Sequence, residues 1–374
     1  MPLTSDSDSD TESSDDEQAV PMLACRRLSP RPCINQALVD ELKPLREFRF
    51  LQYGTHAKES ISYATAVSCI IGTPFKIETV EQAAKIPKIG EKLTLKIQEF
   101  LDYGFIKESR EVQQSERYRV LKLLTSVHDV GYAKANELYE RGVRTLEDLR
   151  RAMNRPRIKS YLKYYDDMQE KIPRSEVESI LAFVELQLNR IKPGFKTLLC
   201  GGYRRGKEFS NDVDILFTYP HRDGEERGVL QALVERMQQK NLIPEDGILT
   251  LTTCGTDRTI TPNRSATLLD ALDKALIIFR HPANGTTRVR DKYRRVDLVV
   301  TTWREWGSAV VGWTGSTQFE RDLRRHAKRI NLKFDSGGIR NRTTDEPVEA
   351  VTEKDVFRVL GLDYIPPEMR NADP

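Results

Sequence analysis

The sequence predicts a multi-domain fold: all-α N-terminal domains built on helix–hairpin–helix units, then an α/β domain and an α+β C-terminal domain. Three observations predict it. From Asn35 to about Pro173, apolar residues recur at three- and four-residue spacing, the helical period. Within that stretch the pattern apolar-x-x-apolar-Gly followed by a helix occurs twice, in AAKIPKIGEKLTLKIQEF and in LLTSVHDVGYAKANELYE. From Lys196 onward, short apolar runs such as TLLC, DILF and DLVV alternate with helical stretches.

Composition sets the outer limits. The 374 residues suffice for two or three domains with a sizeable core. The net charge of +3 hides an asymmetry. Residues 1–18 hold seven acids and no base, leaving 59 bases against 49 acids, a net +10. Such a body suits contact with a polyanion, without distinguishing DNA from RNA or an acidic protein. Residues 1–34 are expected to form a disordered acidic tail. The five cysteines are odd in number and lack paired metal spacing, so reduced intracellular thiols are expected. No membrane-length apolar run and no signal or transit pattern is present, and a soluble protein is expected.

Taken in order, residues 35–116 read as the first helical domain and 117–173 as a second. Each hairpin turns helix-start N–H groups outward, where they can meet a DNA phosphate without reading sequence. Gly90 and Gly131 are the turn glycines. Lys92 and Lys96 follow the first hairpin four residues apart and share a helix face. Residues 174–301 open with a long helix from Ser175 to Arg190 and continue into KTLLCGGYRRGKEFSNDVDILFTY. Gly201 and Gly202 let backbone N–H groups approach a phosphate, and Arg204, Arg205 and Lys207 add charge beside them. Asp212 and Asp214 stand two apart on a strand and so face the same way. Two close carboxylates repel unless a cation lies between them, and oxygen ligands suit Mg²⁺. Asp297, in RRVDLVV, is a third acid inside an apolar β-branched run. A D-x-D pair alone is often a solvated strand end and a glycine pair often a turn. The three features together imply a two-metal phosphoryl or nucleotidyl transfer site. Residues 302–374 hold GWTGS, a basic helix FERDLRRHAKR, and a closing hairpin and helix.

GGYRRGK, DVD, RRVDLVV and GWTGS, in this order, resemble the family X DNA polymerases, within their lambda, mu and terminal-transferase group or a fungal polymerase IV-like version. The resemblance runs from about Asn35 to Asn371. It implies a lyase-like N-terminal domain, fingers, a nucleotidyltransferase palm and a thumb. Asp212 and Asp214 would bind two Mg²⁺ or Mn²⁺ ions per active site, and Asp297 the catalytic one. Arg174, Gly201, Gly202, Arg205, Asn211, Gly312, Trp313, Gly315, Ser316 and Glu320 would lie along the nucleotide. Lys92, Gly90, Gly131, Arg321 and Arg324 would meet DNA. Carbonyls of Ala84, Ile86 and Ile89, and of Thr125, Val127 and Val130, would hold Na⁺ or K⁺, although Lys88 and Asp129 replace the usual first hairpin glycines.

Lys96, with Tyr63, matches the Schiff-base pair of lyase-active relatives, while Glu59 and Leu95 replace residues that assist them. Gly312 and Trp313 follow the mu pattern and imply tolerance of ribonucleotides. The Thr252–Thr267 loop matches the mu and terminal-transferase pattern, whereas Asn211 replaces their histidine. The implied function is template-directed gap filling and end repair in the nucleus, by a monomer acting on gapped or broken double-stranded DNA with dNTPs and NTPs, alongside end-joining proteins. The alternatives are a template-independent terminal transferase and a catalytically silent DNA-end scaffold.

Overall fold

The computed structural model describes residues 19–253, 272–283 and 291–374. The acidic run 1–18 and most of the Thr252–Thr267 loop lie outside the described residues. The N-terminal half is helical as expected: α1 (Gln36–Tyr53), α2 (Lys58–Ile71), α3 (Val80–Ala84), α4 (Glu91–Tyr103), α5 (Lys107–Gln114), α6 (Glu116–Thr125), α7 (Tyr132–Glu140), α8 (Leu146–Ala152), α9 (Pro156–Lys163) and α10 (Tyr165–Gln169). The two helical regions share one core. Leu42, Leu45 and Ile70 belong to the same buried cluster as Leu121, Leu124 and Ile158.

In both hairpins the residue that stands where a glycine would be easier adopts a left-handed backbone, Lys88 at φ 67° and Asp129 at φ 70°. A side chain there is strained by about 1–2 kcal/mol. Lys88→Gly is therefore expected to stabilise the protein by roughly 0.5–1 kcal/mol, after the extra chain entropy that glycine loses on folding. Urea unfolding of the single variant checks this.

The palm contains β1 (Ile172–Pro173), α11 (Arg174–Ile191), β2 (Lys196–Leu199), α12 (Gly201–Arg204), β3 (Phe209–Ser210), β4 (Val213–Thr218), α13 (Val229–Gln239), β5 (Ile248–Thr252), β6 (Asp273–His281) and β7 (Lys292–Val300). Five strands form a mixed sheet in the order β2-β4-β7-β6-β5, with β4 and β7 parallel. Strand alternation divides the side chains. Val213, Ile215, Phe217, Val296, Leu298 and Val300 pack with residues of α11 and α13. Leu216 and Val299 face the other way, onto α14 (Trp306–Thr314). The thumb adds α15 (Thr317–Arg329), the antiparallel strands β8 (Leu332–Asp335), β9 (Gly338–Asn341) and β10 (Pro347–Val348), and α16 (Glu353–Val359).

One boundary needs correction. Residues 19–34 are not part of a tail. Leu23, Ala24 and Cys25 are buried with Phe319 and Leu323 of the thumb. The Ala24 N–H donates to Asp322 Oδ2 at 2.9 Å, and Arg27 donates to Ser68 Oγ on α2 at 2.7 Å. The acids end at Glu17, and the VPMLAC that follows carries enough apolar surface to pack. Cys25, Cys33, Cys69 and Cys200 are buried free thiols. No helix among the described residues is long and apolar enough to cross a membrane.

Candidate active site

Parallel pairing in register sets Asp214 of β4 directly beside Asp297 of β7. Asp212 sits one residue before β4. Carboxylate oxygens of all three lie within 4.8 Å of one another. Burial, and next the charge of Asp297, push the Asp214 carboxyl up to about 7. Burial also raises Asp297. Arg295 partly offsets this repulsion: it ion-pairs with Asp212, and its Nε lies 3.5 Å from Asp297 Oδ1. Yet Asp297 Oδ1 is buried with no hydrogen-bond partner among the described residues. Hard oxygens crowded together, two of the carboxyls raised by burial and one buried oxygen of Asp297 left without a hydrogen-bond donor among the described residues, suit divalent cations. The three acids fit the group expected for them.

The glycine pair borders this cluster. Gly201 has φ +55°, and a Cβ there would lie 1.9 Å from Asp214 Oδ2, so no side chain is compatible with that carboxylate position. Gly202 begins the turn that ends at Lys207, whose N–H donates to the Gly202 carbonyl at 3.0 Å. Burial and the neighbouring Arg205 lower the Lys207 amine to about 8. Arg174 donates to the carbonyls of Tyr203 (2.8 Å) and Lys207 (3.2 Å), and stacks on the Tyr203 ring at 3.7 Å. It shapes the loop from behind. Arg204 turns away to Glu353, whereas Arg205 reaches the Thr314 carbonyl beside Gly315. A Cβ on Gly315, at φ +71°, would stand 3.0 Å from Arg205 Nη1 and 3.6 Å from Glu320 Oε1. Arg205, Gly315 and Glu320 therefore share one wall with the carboxylates' flank.

Comparison with known proteins agrees with this layout. Family models match as a helix-hairpin-helix domain over residues 33–104, the fingers domain of DNA polymerase lambda over 122–169, the DNA polymerase beta palm over 171–303 and the DNA polymerase beta thumb over 309–371. The chain is 34% identical over 364 residues to human DNA-directed DNA/RNA polymerase mu, covering 94% of this chain and 72% of that one. It is 32% identical over 371 residues to DNA nucleotidylexotransferase of Xenopus laevis, covering 94% and 71%. It is 30% identical over 373 residues to the DNA polymerase type-X family protein pol4 of Schizosaccharomyces pombe, covering 94% and 68%. The chain belongs to the X family of DNA polymerases.

Elsewhere the X-family site residues fall into three groups. Among those expected along the nucleotide, Gly312 is buried, and a Cβ there would come within 2.5 Å of Ser336 Oγ, so its missing side chain makes room for the thumb. Ser316 is also buried, its Oγ accepting from the Ala372 N–H at 3.1 Å. The Trp313 indole N–H is buried with no partner among the described residues. Glu320 pairs with Arg324 at 2.5 Å, and Arg321 donates to Gln318 at 3.1 Å. Asn211 accepts a hydrogen bond from Lys171.

The second group is the hairpins. Gly90 and Gly131 are the N-caps of α4 and α7; neither helix start has a side-chain cap, and a Cβ at either glycine would meet nothing within 4 Å. Their first N–H groups thus open outward, as a phosphate contact requires. The Ile86 carbonyl accepts from the Ile89 N–H, and Val127 from Val130, at 3.2 and 3.1 Å. Ala84 and Thr125 end the preceding helices.

The third group surrounds Lys96. Lys92 is exposed on α4, but Lys96 is ion-paired with Glu108. Arg49 lies 3.5 Å from the same carboxylate and 4.2 Å over the Tyr63 ring. Burial alone would raise the Glu108 carboxyl, but the Lys96 hydrogen bond and the charges of Lys96 and Arg49 bring it below its usual value.

Two residues at the site escaped the sequence reading, Arg295 and Lys171. Arg295 was findable, since it stands two before Asp297 and must share its strand face. Lys171 was not, because only the β1–β3 pairing of Ile172 with Ser210 carries it to Asn211.

Proposed function

We propose that this X-family polymerase fills short gaps and repairs broken ends in DNA by nucleotidyl transfer at Asp212, Asp214 and Asp297. The observation that carries the reading is the in-register pairing of Asp214 with Asp297 against the side-chain-free wall of Gly201. Two Mg²⁺ or Mn²⁺ ions there would activate the primer 3′-hydroxyl and neutralise the leaving pyrophosphate. The chain's own part is positional: Arg205 and the Gly201–Gly202 backbone hold phosphates, Trp313 lies along the sugar and base, and the two hairpins grip DNA on either side of the gap. We place the enzyme in the nucleus, as a monomer working with end-joining proteins, with Na⁺ or K⁺ at the hairpin carbonyls.

The test is primer extension with Mg²⁺ on a one-nucleotide gap bearing a 5′-phosphate and on a bare single strand. Fast template-matched insertion at the gap alone is expected. Comparable extension of the bare strand would instead favour the terminal-transferase reading, which the likeness to DNA nucleotidylexotransferase supports. The likeness to a DNA/RNA polymerase supports ribonucleotide use. Discrimination between dATP and ATP is expected to stay below about a thousandfold, or ~4 kcal/mol.

A deoxyribose-phosphate lyase at Lys96 belongs to the same proposal, with a specific restraint. The amine donates to Glu108, and an attacking amine must be free and neutral. Borohydride trapping on a 5′-abasic end is expected to be weak in the wild type, stronger in Glu108→Gln and absent in Lys96→Ala. Equal trapping in wild type and Glu108→Gln would show that the ion pair does not restrain the amine.

A further inference from the structure

The stretch Arg370–Asp373 runs between the phosphate loop and the N-terminal helical domain. Asn371 holds Arg205 at two points: its Nδ2 donates to the Arg205 carbonyl at 3.2 Å, and its Oδ1 accepts from Arg205 Nε at 3.4 Å. A third bond, from Asn371 Nδ2 to the Glu368 carbonyl at 2.8 Å, fixes the amide itself. Two residues on, Asp373 Oδ1 pairs with Arg46 of α1 at 2.7 Å, while its Oδ2 accepts the Gln318 N–H of α15 at 3.0 Å. The same stretch is sewn to the N-terminal strap: Ser29 donates its N–H to the Met369 carbonyl (2.7 Å) and accepts from the Asn371 N–H (3.0 Å). The Ser316 N–H reaches the Arg370 carbonyl at 3.3 Å. A few residues therefore touch the arginine of the phosphate wall, the GWTGS turn, the thumb helix and the N-terminal domain.

We propose that Arg370–Asp373 is a coupling strap, through which docking of the N-terminal domain at Asp373 sets the position of Arg205 and so the grip on the incoming nucleotide. This rests on the nucleotidyltransferase reading of the Arg205 wall. The physical basis is the planar guanidinium. With one edge held by Asn371 and Nη1 by the Thr314 carbonyl, the group can meet a phosphate only in the plane those partners define. Asp373 is bonded from two domains at once, so separating α1 from the thumb removes one of its two restraints. Asn371 is then a positioning residue, acting through Arg205. DNA that engages the N-terminal domain should thereby bind nucleotide more tightly than DNA that does not.

The test measures the Kd of fluorescent mant-dATP on the full chain, with Ca²⁺ and a one-nucleotide gap whose primer ends in a dideoxynucleotide. Arg46→Gln and Asp373→Asn are each expected to weaken nucleotide binding by about two- to fivefold, the scale of a partly buried ion pair. The double variant should be no weaker than the worse single one, and Asn371→Ala should weaken binding at least as much. Arg46 lies on a different domain from the nucleotide, so a purely structural Asp373 would not transmit its loss. A wild-type Kd in Arg46→Gln, or additive effects in the double variant, would overturn the coupling while leaving nucleotide binding intact. Failure of wild-type protein to bind mant-dATP, or an unchanged Kd in Arg205→Ala, would overturn the reading of the wall and the coupling with it.

Discussion

Asp297→Asn is expected to lower nucleotide incorporation by at least ~10³-fold, about 4 kcal/mol of transition-state stabilisation, while leaving gapped-DNA binding in place and making the metal-free protein more stable. The two effects have one cause. Asp297 is buried beside Asp214, and its Oδ1 has no hydrogen-bond partner among the described residues, so the folded chain carries a carboxylate whose cost Arg295, 3.5 Å away, offsets only in part. An amide of the same shape removes that charge and leaves a weaker, uncharged cation ligand. The stability gain is read as a higher unfolding midpoint of the metal-free variant at pH 8, where the Asp214 carboxylate no longer faces a second charge. Retained turnover would remove Asp297 from the chemistry, and a lower unfolding midpoint would contradict the repulsion.

The same repulsion has a pH signature. The folded Asp214 carboxyl titrates near 7, above its unfolded value near 4, so the folded state binds more protons across that window. Its contribution therefore makes the metal-free protein less stable as pH rises from about 4 to 7, and the full cost is present above. A divalent cation removes this cost. The rise in unfolding midpoint on adding Mg²⁺ is expected to be larger at pH 8 than at pH 6.

Glu353→Ala is expected to cost about 3–5 kcal/mol of folding stability, which urea unfolding measures. Glu353 receives Arg204 through two bonds of 2.7 and 2.8 Å, Arg370 at 2.7 Å and the Tyr364 hydroxyl at 2.9 Å. Arg370 is 0% exposed, so losing its carboxylate leaves a buried cation whose remaining side-chain hydrogen bonds among the described residues go to the uncharged Ile365 carbonyl. Burial would by itself raise Glu353, but the Arg204 hydrogen bond and the Arg370 charge hold it down to about 2. The folded value lies below the unfolded one. Its stabilisation is thus complete above about pH 4.5 and lost as pH falls toward 2. An acid transition unchanged in Glu353→Gln would contradict that assignment.

Much of the site was legible because strand alternation is strict. Asp214 and the acid in RRVDLVV share a sheet face because β4 and β7 pair in register, whereas Asp212, expected on the same strand, lies just before β4 and still joins the cluster. What sequence could not show were choices made by distant partners. Arg204 and Arg205 are adjacent, yet one is claimed by Glu353 and the other enters the site wall. Gly312 follows the mu pattern in sequence, but the space that its missing side chain leaves is taken by Ser336 of the thumb. Lys96 was readable as an amine on a helix face; its engagement with Glu108 depends on the packing of α5. The strap at residues 19–34 was hidden by the acidic run before it.

The most direct measurement is insertion of a single nucleotide opposite a one-nucleotide gap, with and without Mg²⁺, by wild type and Asp297→Asn. Template-matched insertion is expected from the wild type only with the metal, and at least ~10³-fold slower insertion from the variant. No insertion by the wild type with Mg²⁺ or Mn²⁺, or equal insertion by both proteins, would contradict this expectation.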